Sequence, residues 1–157
     1  MANYSYALWI GRRNFHEEKN VNKAIPVAMI YFFSGLAQAN EIVDLKKIAG
    51  KSEAEVSAYL GNPVSCGKSK QGKTCQYTKG ETEIVYIQSK ADWITVEGID
   101  SVDFGPSALM SLGLKAVPPS FKNEFTMRWH SISGMKELSL FKGTSKSDYA
   151  YIKVKTE

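Results

Sequence analysis

Residues 64–96 read VSCGKSKQGKTCQYTKGETEIVYIQSKADWITV and carry the clearest structural pattern in the chain. Four runs rich in Val, Ile, Thr and Tyr alternate apolar and polar residues with a period of two, and short polar turns separate the runs. This pattern is typical of strands joined by tight hairpins. The segment therefore predicts a four-stranded antiparallel meander.

A short helix is predicted directly before this meander. Ser52 and Glu55 have the spacing of a capping box, in which the hydroxyl accepts a hydrogen bond from the Glu55 amide while the carboxylate reaches back to the Ser52 amide. Gly61 is a typical helix end, and Pro63 is a stop signal shortly after it. The local sequence therefore indicates a helix that begins at the capping box and ends at Gly61.

A similar order of elements recurs in the second half of the chain. Gly105-Pro106-Ser107 predicts the start of a second short helix that ends at Gly113. Three more alternating runs follow, at 125–132, 136–142 and 148–154. We therefore predict an α+β fold, with short helices packed on an antiparallel sheet of six or seven strands. A helix–meander unit is a candidate repeat over 43–96 and 104–155, and each unit alone is too small to bury a good core.

The overall composition is that of an ordinary globular protein. The chain has 157 residues, of which 43% are hydrophobic and 23% charged, and it has two cysteines. These values exclude a disordered chain, a collagen-like repeat and a cysteine-dense scaffold. The net charge of +4 is too small for the dense basic patch of a dedicated nucleic-acid binder.

Residues 1–39 have the parts of a secretory signal peptide. Arg12 and Arg13 lie in a basic leader, residues 24–40 carry no charge, and the run ends in Ala37-Gln38-Ala39, a small-residue cleavage motif. Cleavage after Ala39 would leave a single domain of residues 40–157 with a net charge of +2, too low for binding driven by phosphate contacts. The predicted location is periplasmic or secreted.

Other interpretations of this leader stay open. An uncleaved segment would anchor the domain at the inner membrane through residues 24–39, although the apolar run is short for a membrane span. A buried helix is a second alternative. The tetrad Arg12-Arg13-Asn14-Phe15 loosely resembles a twin-arginine export signal, and the length of the leader is also compatible with a start codon placed too far upstream.

Cys66 and Cys75 are predicted to form a disulfide. If the turn between their strands centres on Lys70 and Gln71, the two cysteines lie directly opposite each other, at a spacing that suits a bridge. An export signal favours the oxidised state, and closing so short a loop contributes about 2–3 kcal/mol in the chain-entropy model. A pair of free thiols and a redox or metal site are the alternatives.

The sequence contains few residues suited to catalysis. Its two histidines are His16, in the leader, and His130. No metal-ligand spacing or glycine-rich phosphate loop is present. We therefore expect no cofactor, no metal and no enzymatic activity. The alternative is a small periplasmic hydrolase that uses His130 or a pair of the carboxylates near strand ends, which are Glu81, Glu83, Glu97, Asp100 and Asp103.

Aromatic residues suggest a binding surface. Alternation places Tyr149, Tyr151 and Lys153 on one face of the last strand, and Trp93 on the corresponding face of the fourth strand. Tyr and Trp are favoured at protein interfaces, so these four residues are a candidate interface for a protein partner in the cell envelope. The alternative is that the rings cover the sheet beneath a helix.

The segment from Gly50 to Pro63, which includes Ser52, Val56 and Leu60-Gly61, resembles a known motif. It is similar to the helical opening of the SmpA/OmlA outer-membrane assembly lipoproteins and of the β-lactamase-inhibitor proteins, and the resemblance covers residues 43–96. It implies a short helical pair packed on a meander that acts by protein–protein contact, with two such units in tandem in the inhibitor proteins.

The resemblance implies a fold but no binding residues. No lipobox cysteine follows the apolar run, so a lipid anchor is not implied, and no binding residue of either family is matched by motif. The sequence thus predicts an exported, disulfide-containing, non-catalytic domain of binding or inhibitor type in the bacterial envelope.

Overall fold

Residues 40–156 fold around one antiparallel sheet of eight strands, with the order β1-β2-β3-β4-β8-β7-β6-β5. The computed structural model describes residues 40–156, and the predicted leader with its cleavage site at Ala37 and Ala39 lies outside them. The strands are β1 (Ser65–Lys68), β2 (Lys73–Tyr77), β3 (Thr82–Ile87), β4 (Lys90–Val96), β5 (Phe121–Lys122), β6 (Thr126–Ile132), β7 (Met135–Lys142) and β8 (Ser147–Lys153). The predicted antiparallel sheet is confirmed.

Helices are few and short, so the described residues are mostly sheet. Helix α1 spans Glu53–Leu60 and helix α2 spans Ala108–Ser111, with 3-10 turns at Leu45–Lys47 and Lys79–Glu81. The second helix is shorter than the sequence suggests. No side chain caps its start, so little local energy favours its extension.

The predicted capping box begins α1. The Ser52 amide donates to Glu55 Oε2 at 2.8 Å, and the Glu55 amide donates to Ser52 Oγ at 3.4 Å. The helix buries Val56 and Leu60 and ends at Gly61, whose amide donates to the Ser57 carbonyl. These contacts satisfy backbone groups that an isolated helix end leaves unpaired.

The sheet has one strand more than the upper end of the prediction. Strand β5 has two residues, and Phe121 pairs with Arg128 while Lys122 pairs with Met127. Such a strand is too short to show alternation of apolar and polar residues. In addition, Pro118-Pro119 just before it predicts an interruption of regular secondary structure. Strand β5 forms because β6 offers it an edge to pair with. The turn between the two strands is held by Asn123, whose Oδ1 accepts hydrogen bonds from the Phe125 and Thr126 amides.

Both halves of the chain build the same hydrophobic core. Strands β1–β4 occupy one half of the sheet and β5–β8 the other, and β4 pairs with β8 between them. On one face of the sheet, the register aligns Ile84 with Ile94, Ile94 with Ile152 and Ile152 with Leu138. These four side chains are fully buried. The apolar residues of α1 and α2 belong to the same cluster, so both helices lie on this side of the sheet.

Candidate functional site

The face of the sheet opposite the core is called the open face here. Because side chains alternate along a strand, Trp93 and Tyr151 point away from the buried Ile94 and Ile152. Pairing of Trp93 with Lys153 and of Thr95 with Tyr151 puts the predicted interface residues of both strands on this one face. No helix among residues 40–156 buries its apolar residues against it, so within that range the rings do not lie beneath a helix.

Four half-buried rings form a patch across β4, β7 and β8. We call Trp93, Phe141, Tyr149 and Tyr151 the aromatic patch; all four are partly exposed to solvent. Phe141 and Tyr149 stack with their ring centroids 4.5 Å apart and their planes 16° apart. Stacking fixes these two rings, so this part of the aromatic patch is held in place before any partner arrives.

The phenol of Tyr151 is held in its neutral form. Partial burial raises its pKa above the ordinary tyrosine value, and the negative charges of Asp92 and Glu137 act in the same direction. A neutral phenol donates a hydrogen bond as well as accepting one. Tyr151 therefore offers both an apolar ring and a donor at the centre of the open face.

A polar group lies beside the patch on β6 and β7. Arg128 Nε donates to Ser139 Oγ at 3.2 Å, and Ser139 Oγ donates to Glu137 Oε1 at 3.2 Å. Glu137 also lies 3.4 Å from Arg128 Nε and 3.6 Å from His130 Nδ1. The register brings these residues together, because Arg128 pairs with Ser139 and His130 pairs with Glu137.

This polar group is not arranged as a hydrolytic triad. In a triad, the histidine lies between the nucleophile and the carboxylate and takes the proton of the nucleophile. Here Glu137 lies between Ser139 and His130, and Ser139 is only 2% exposed. The geometry suits mutual stabilisation of the four side chains, because the Ser139 hydroxyl donates to Glu137 and not to His130.

The carboxylates near strand ends lie in three different environments. Asp103 forms an ion pair with Lys146 at 2.7 Å. Glu81, Glu97 and Asp100, together with Asp148, line an open cleft of about 440 Å³ next to Tyr149. An acidic margin therefore adjoins the aromatic patch, whereas Glu83 lies on β3 opposite Thr95.

The predicted disulfide is confirmed. Cys66 and Cys75 are paired in the register of β1 and β2, with their Cα atoms 4.1 Å apart and the sulfurs bonded. Glu53 lies close to both sulfur atoms, but bonded sulfurs cannot act as thiolate ligands. The pair is therefore a structural link between the edge strand and its neighbour.

Other open-face residues were not singled out in the sequence. Phe121, Arg128, Ser139 and Phe141 share the face of Tyr151 because Ser139 pairs with Tyr151 and Arg128 pairs with Ser139. Alternation within β6 and β7 indicates which residues share a side. That these residues lie on the same face as Tyr149 and Tyr151 follows only from the pairing of β7 with β8 in the folded chain.

Comparison with known proteins identifies no relative. No protein-family model, no curated protein and no solved structure matches this chain. Within residues 40–156, no helix has the length and apolar character needed to cross a bilayer. The geometry of the open face is therefore the basis for assigning a function.

Proposed function

We propose that this chain is a non-catalytic binding module of the bacterial cell envelope that holds a protein partner on its open face. The observation that carries the proposal is the aromatic patch, four partly exposed rings at the middle of a hydrogen-bonded sheet. Large aromatic side chains with few rotatable bonds contribute contact area at low entropic cost. Sheet strands hold them more firmly than loops would.

The margin of the patch also suits a protein interface. Arg128, Glu137 and Lys153 surround the rings on β6, β7 and β8 with charged groups, and Lys153 pairs with Glu137 in the register. Interfaces combine an aromatic centre with a polar rim of this kind. A hydrolase is the weaker candidate, because Ser139 is buried and donates to Glu137 rather than to His130.

Export is the second part of the proposal. Disulfides form and persist mainly outside the reducing cytoplasm, and the Cys66–Cys75 bond agrees with the leader predicted in residues 1–39. Expression of the full-length gene in a bacterium, followed by N-terminal sequencing of the periplasmic product, tests this part. We expect a chain that begins at Asn40. Full-length protein found only in the cytosol would contradict export.

The resemblance to the lipoprotein and inhibitor families remains a proposal about fold. Helix α1 precedes the meander β1–β4, and α2 precedes β5–β8. This order supports two helix–meander units in tandem, in an α+β arrangement. The units meet through β4 and β8, which places one open face across both of them.

Replacing Tyr151 with Ala tests the binding face. Truncation of a central interface aromatic costs about 2 kcal/mol or more of binding free energy, whereas truncation of a buried core aromatic costs about 3–5 kcal/mol of folding free energy. We expect Tyr151→Ala to remain folded in denaturant unfolding. We also expect it to lose the proteins that wild type retains from an envelope extract.

Met110→Ala is the control for this experiment. Met110 is 39% exposed on α2, on the opposite side of the sheet, so its truncation should leave retention unchanged. Equal retention by wild type and Tyr151→Ala, with both folded, would refute the open face as the interface. Loss of the fold in Tyr151→Ala would instead show that the ring belongs to the core.

A further inference from the structure

A separate cleft lies at the end of β6, where the segment 114–120 crosses beside the strand. Its volume is about 480 Å³, and its lining includes Lys46, Lys115, Trp129, Ser131 and Ser133. The cleft therefore combines two cationic side chains and hydroxyl groups with an aromatic side chain. Concave sites of this size with a few convergent polar groups are typical of small-molecule binding.

Hydrogen bonds fix the wall formed by the crossing segment. The Trp129 indole Nε1 donates to the Val117 carbonyl at 2.9 Å. The Ser120 amide donates to the Arg128 carbonyl at 2.8 Å, and the His130 amide donates to Ser120 Oγ at 3.2 Å. Because backbone and side chain both hold this wall, the cleft exists before any ligand binds, which lowers the entropic cost of binding.

The charge of the cleft favours an anion. Within residues 40–156, no carboxylate oxygen lies within 4.0 Å of the Lys46 or Lys115 ammonium group. Both lysines are exposed, so they can reach a ligand in the cleft. Two carboxylates contact lining residues, and each is already opposed by a cation. Asp44 Oδ1 accepts a hydrogen bond from the Lys46 amide, and Asp44 lies 3.8 Å from Lys47 Nζ. Glu137 lies 3.6 Å from His130 Nδ1 and 3.4 Å from Arg128 Nε.

The backbone of β6 is irregular at this point. Ser131 has a φ of +53° inside the strand, a conformation that residues with a side chain rarely adopt. Ser133 also has a positive φ, but it lies in the two-residue turn before Met135, where such values are required. Strain of the kind seen at Ser131 persists where the surrounding structure enforces it, and it is concentrated at binding sites.

Part of the cleft lining is apolar, in addition to the cationic part. Val117, which is 40% exposed, lines it together with the largely buried Leu114 and Ile132. An inorganic anion has no apolar group that could pack against these side chains. A ligand with a carboxylate next to an apolar group would satisfy the lysines and serines and also remove apolar surface from water.

We propose that this cleft binds a small organic acid in which a carboxylate adjoins an apolar group, either as a free acid or as the C-terminal residue of a peptide. Lys46 and Lys115 supply the positive charge, and the hydroxyl groups of Ser131 and Ser133 supply donors. This site is independent of the partner proposed for the open face.

N-acetyl-leucine is the probe, added to the full chain labelled with ¹⁵N. We expect saturable shifts of the Ser131, Ile132 and Ser133 amide signals. N-acetyl-leucine amide, which lacks the charge, should bind at least about tenfold more weakly, because a hydrogen bond to a charged group is stronger than one to a neutral group. A peptide ending in free leucine distinguishes the two sources: tighter binding than N-acetyl-leucine indicates a chain end, and equal or weaker binding indicates a free acid.

Lysine substitutions complete the test. Lys46→Gln and Lys115→Gln should each weaken binding of N-acetyl-leucine about tenfold. Lys122→Gln, on β5 and outside the cleft lining, should leave the affinity unchanged. Equal affinity for the acid and its amide, an absence of saturable shifts, or equal losses in all three variants would each overturn the proposal.

Discussion

At the scale of single residues, Gly113 is tightly constrained by its close approach to Asp44. Gly113 has a φ of +72°, and a Cβ built on it would lie 2.8 Å from the Asp44 Cα atom. The chain before the first helix crosses here against the end of α2, and the Leu45 amide donates to the Leu112 carbonyl. Glycine is therefore required both for its conformation and for the space that it leaves.

Replacing Gly113 with Ala should destabilise the protein by more than the conformational penalty alone. A left-handed residue with a side chain costs about 1–2 kcal/mol, and the contact with Asp44 backbone adds to that cost because backbone cannot easily move aside. Gly134→Ala is the matched control, since Gly134 has a φ of +80° with nothing within 4 Å of its Cβ position. Denaturant unfolding measures both variants, and equal losses of stability would contradict the close approach.

At the scale of elements, α1 depends on its capping box. Ser52→Ala removes the side-chain acceptor of the Glu55 amide and should cost about 1 kcal/mol of folding free energy. Chemical denaturation measures this loss. An unchanged free energy of unfolding would show that tertiary packing of Val56 and Leu60 alone determines where the helix begins.

The same box should make the start of α1 sensitive to acid. The Ser52 amide lowers the pKa of Glu55, and the Ser52 hydroxyl lowers it further. A carboxylate with a lowered pKa in the folded state stabilises the fold above its unfolded pKa, and this contribution is lost as the pH falls through the folded value. In Ser52→Ala the hydroxyl is gone but the amide remains, so an NMR titration should show a pKa between those of wild type and the unfolded chain. A wild-type value in the variant would contradict the role of the hydroxyl.

Elements were predictable from the sequence wherever their signals were local. The hairpins of residues 64–96 follow from alternation and turn residues, and the Cys66–Cys75 pairing follows from one hairpin register. The two-residue strand β5 has no local signal, because its pairing partner β6 decides its conformation. The adjacency of β4 and β8 is also non-local, since Trp93 and Lys153 are far apart in the chain.

The candidate site was predictable to the same extent. Alternation places Tyr149, Tyr151 and Lys153 on one face of a strand, and their register with Trp93 agrees with that expectation. Phe141 was not expected there, because only the pairing of β7 with β8 brings it against Tyr149. The cleft beside β6 had no signal in the sequence, since it is formed where a segment without regular structure crosses a strand.

At the scale of the whole molecule, the two halves share one core. Ile152 on β8 pairs with Ile94 of the first half and Leu138 of the second, and all three are fully buried. The halves therefore have no separate interiors that could fold independently. Because the sheet is continuous through β4 and β8, the open face is also a single surface whose shape depends on both halves.

Replacing Ile152 with Ala should therefore weaken both halves equally. Removing a buried isoleucine side chain costs about 2–5 kcal/mol, and native-state hydrogen exchange reports where that cost falls. We expect the Ile84 amide in the first half and the Leu138 amide in the second to lose the same free energy of protection, because both exchange through one global unfolding event. Ile87 is a half-buried residue at the end of β3, so Ile87→Ala should lower the free energies of protection of both amides by a smaller amount. Protection lost around Leu138 but retained around Ile84 would show instead that the halves unfold as separate units.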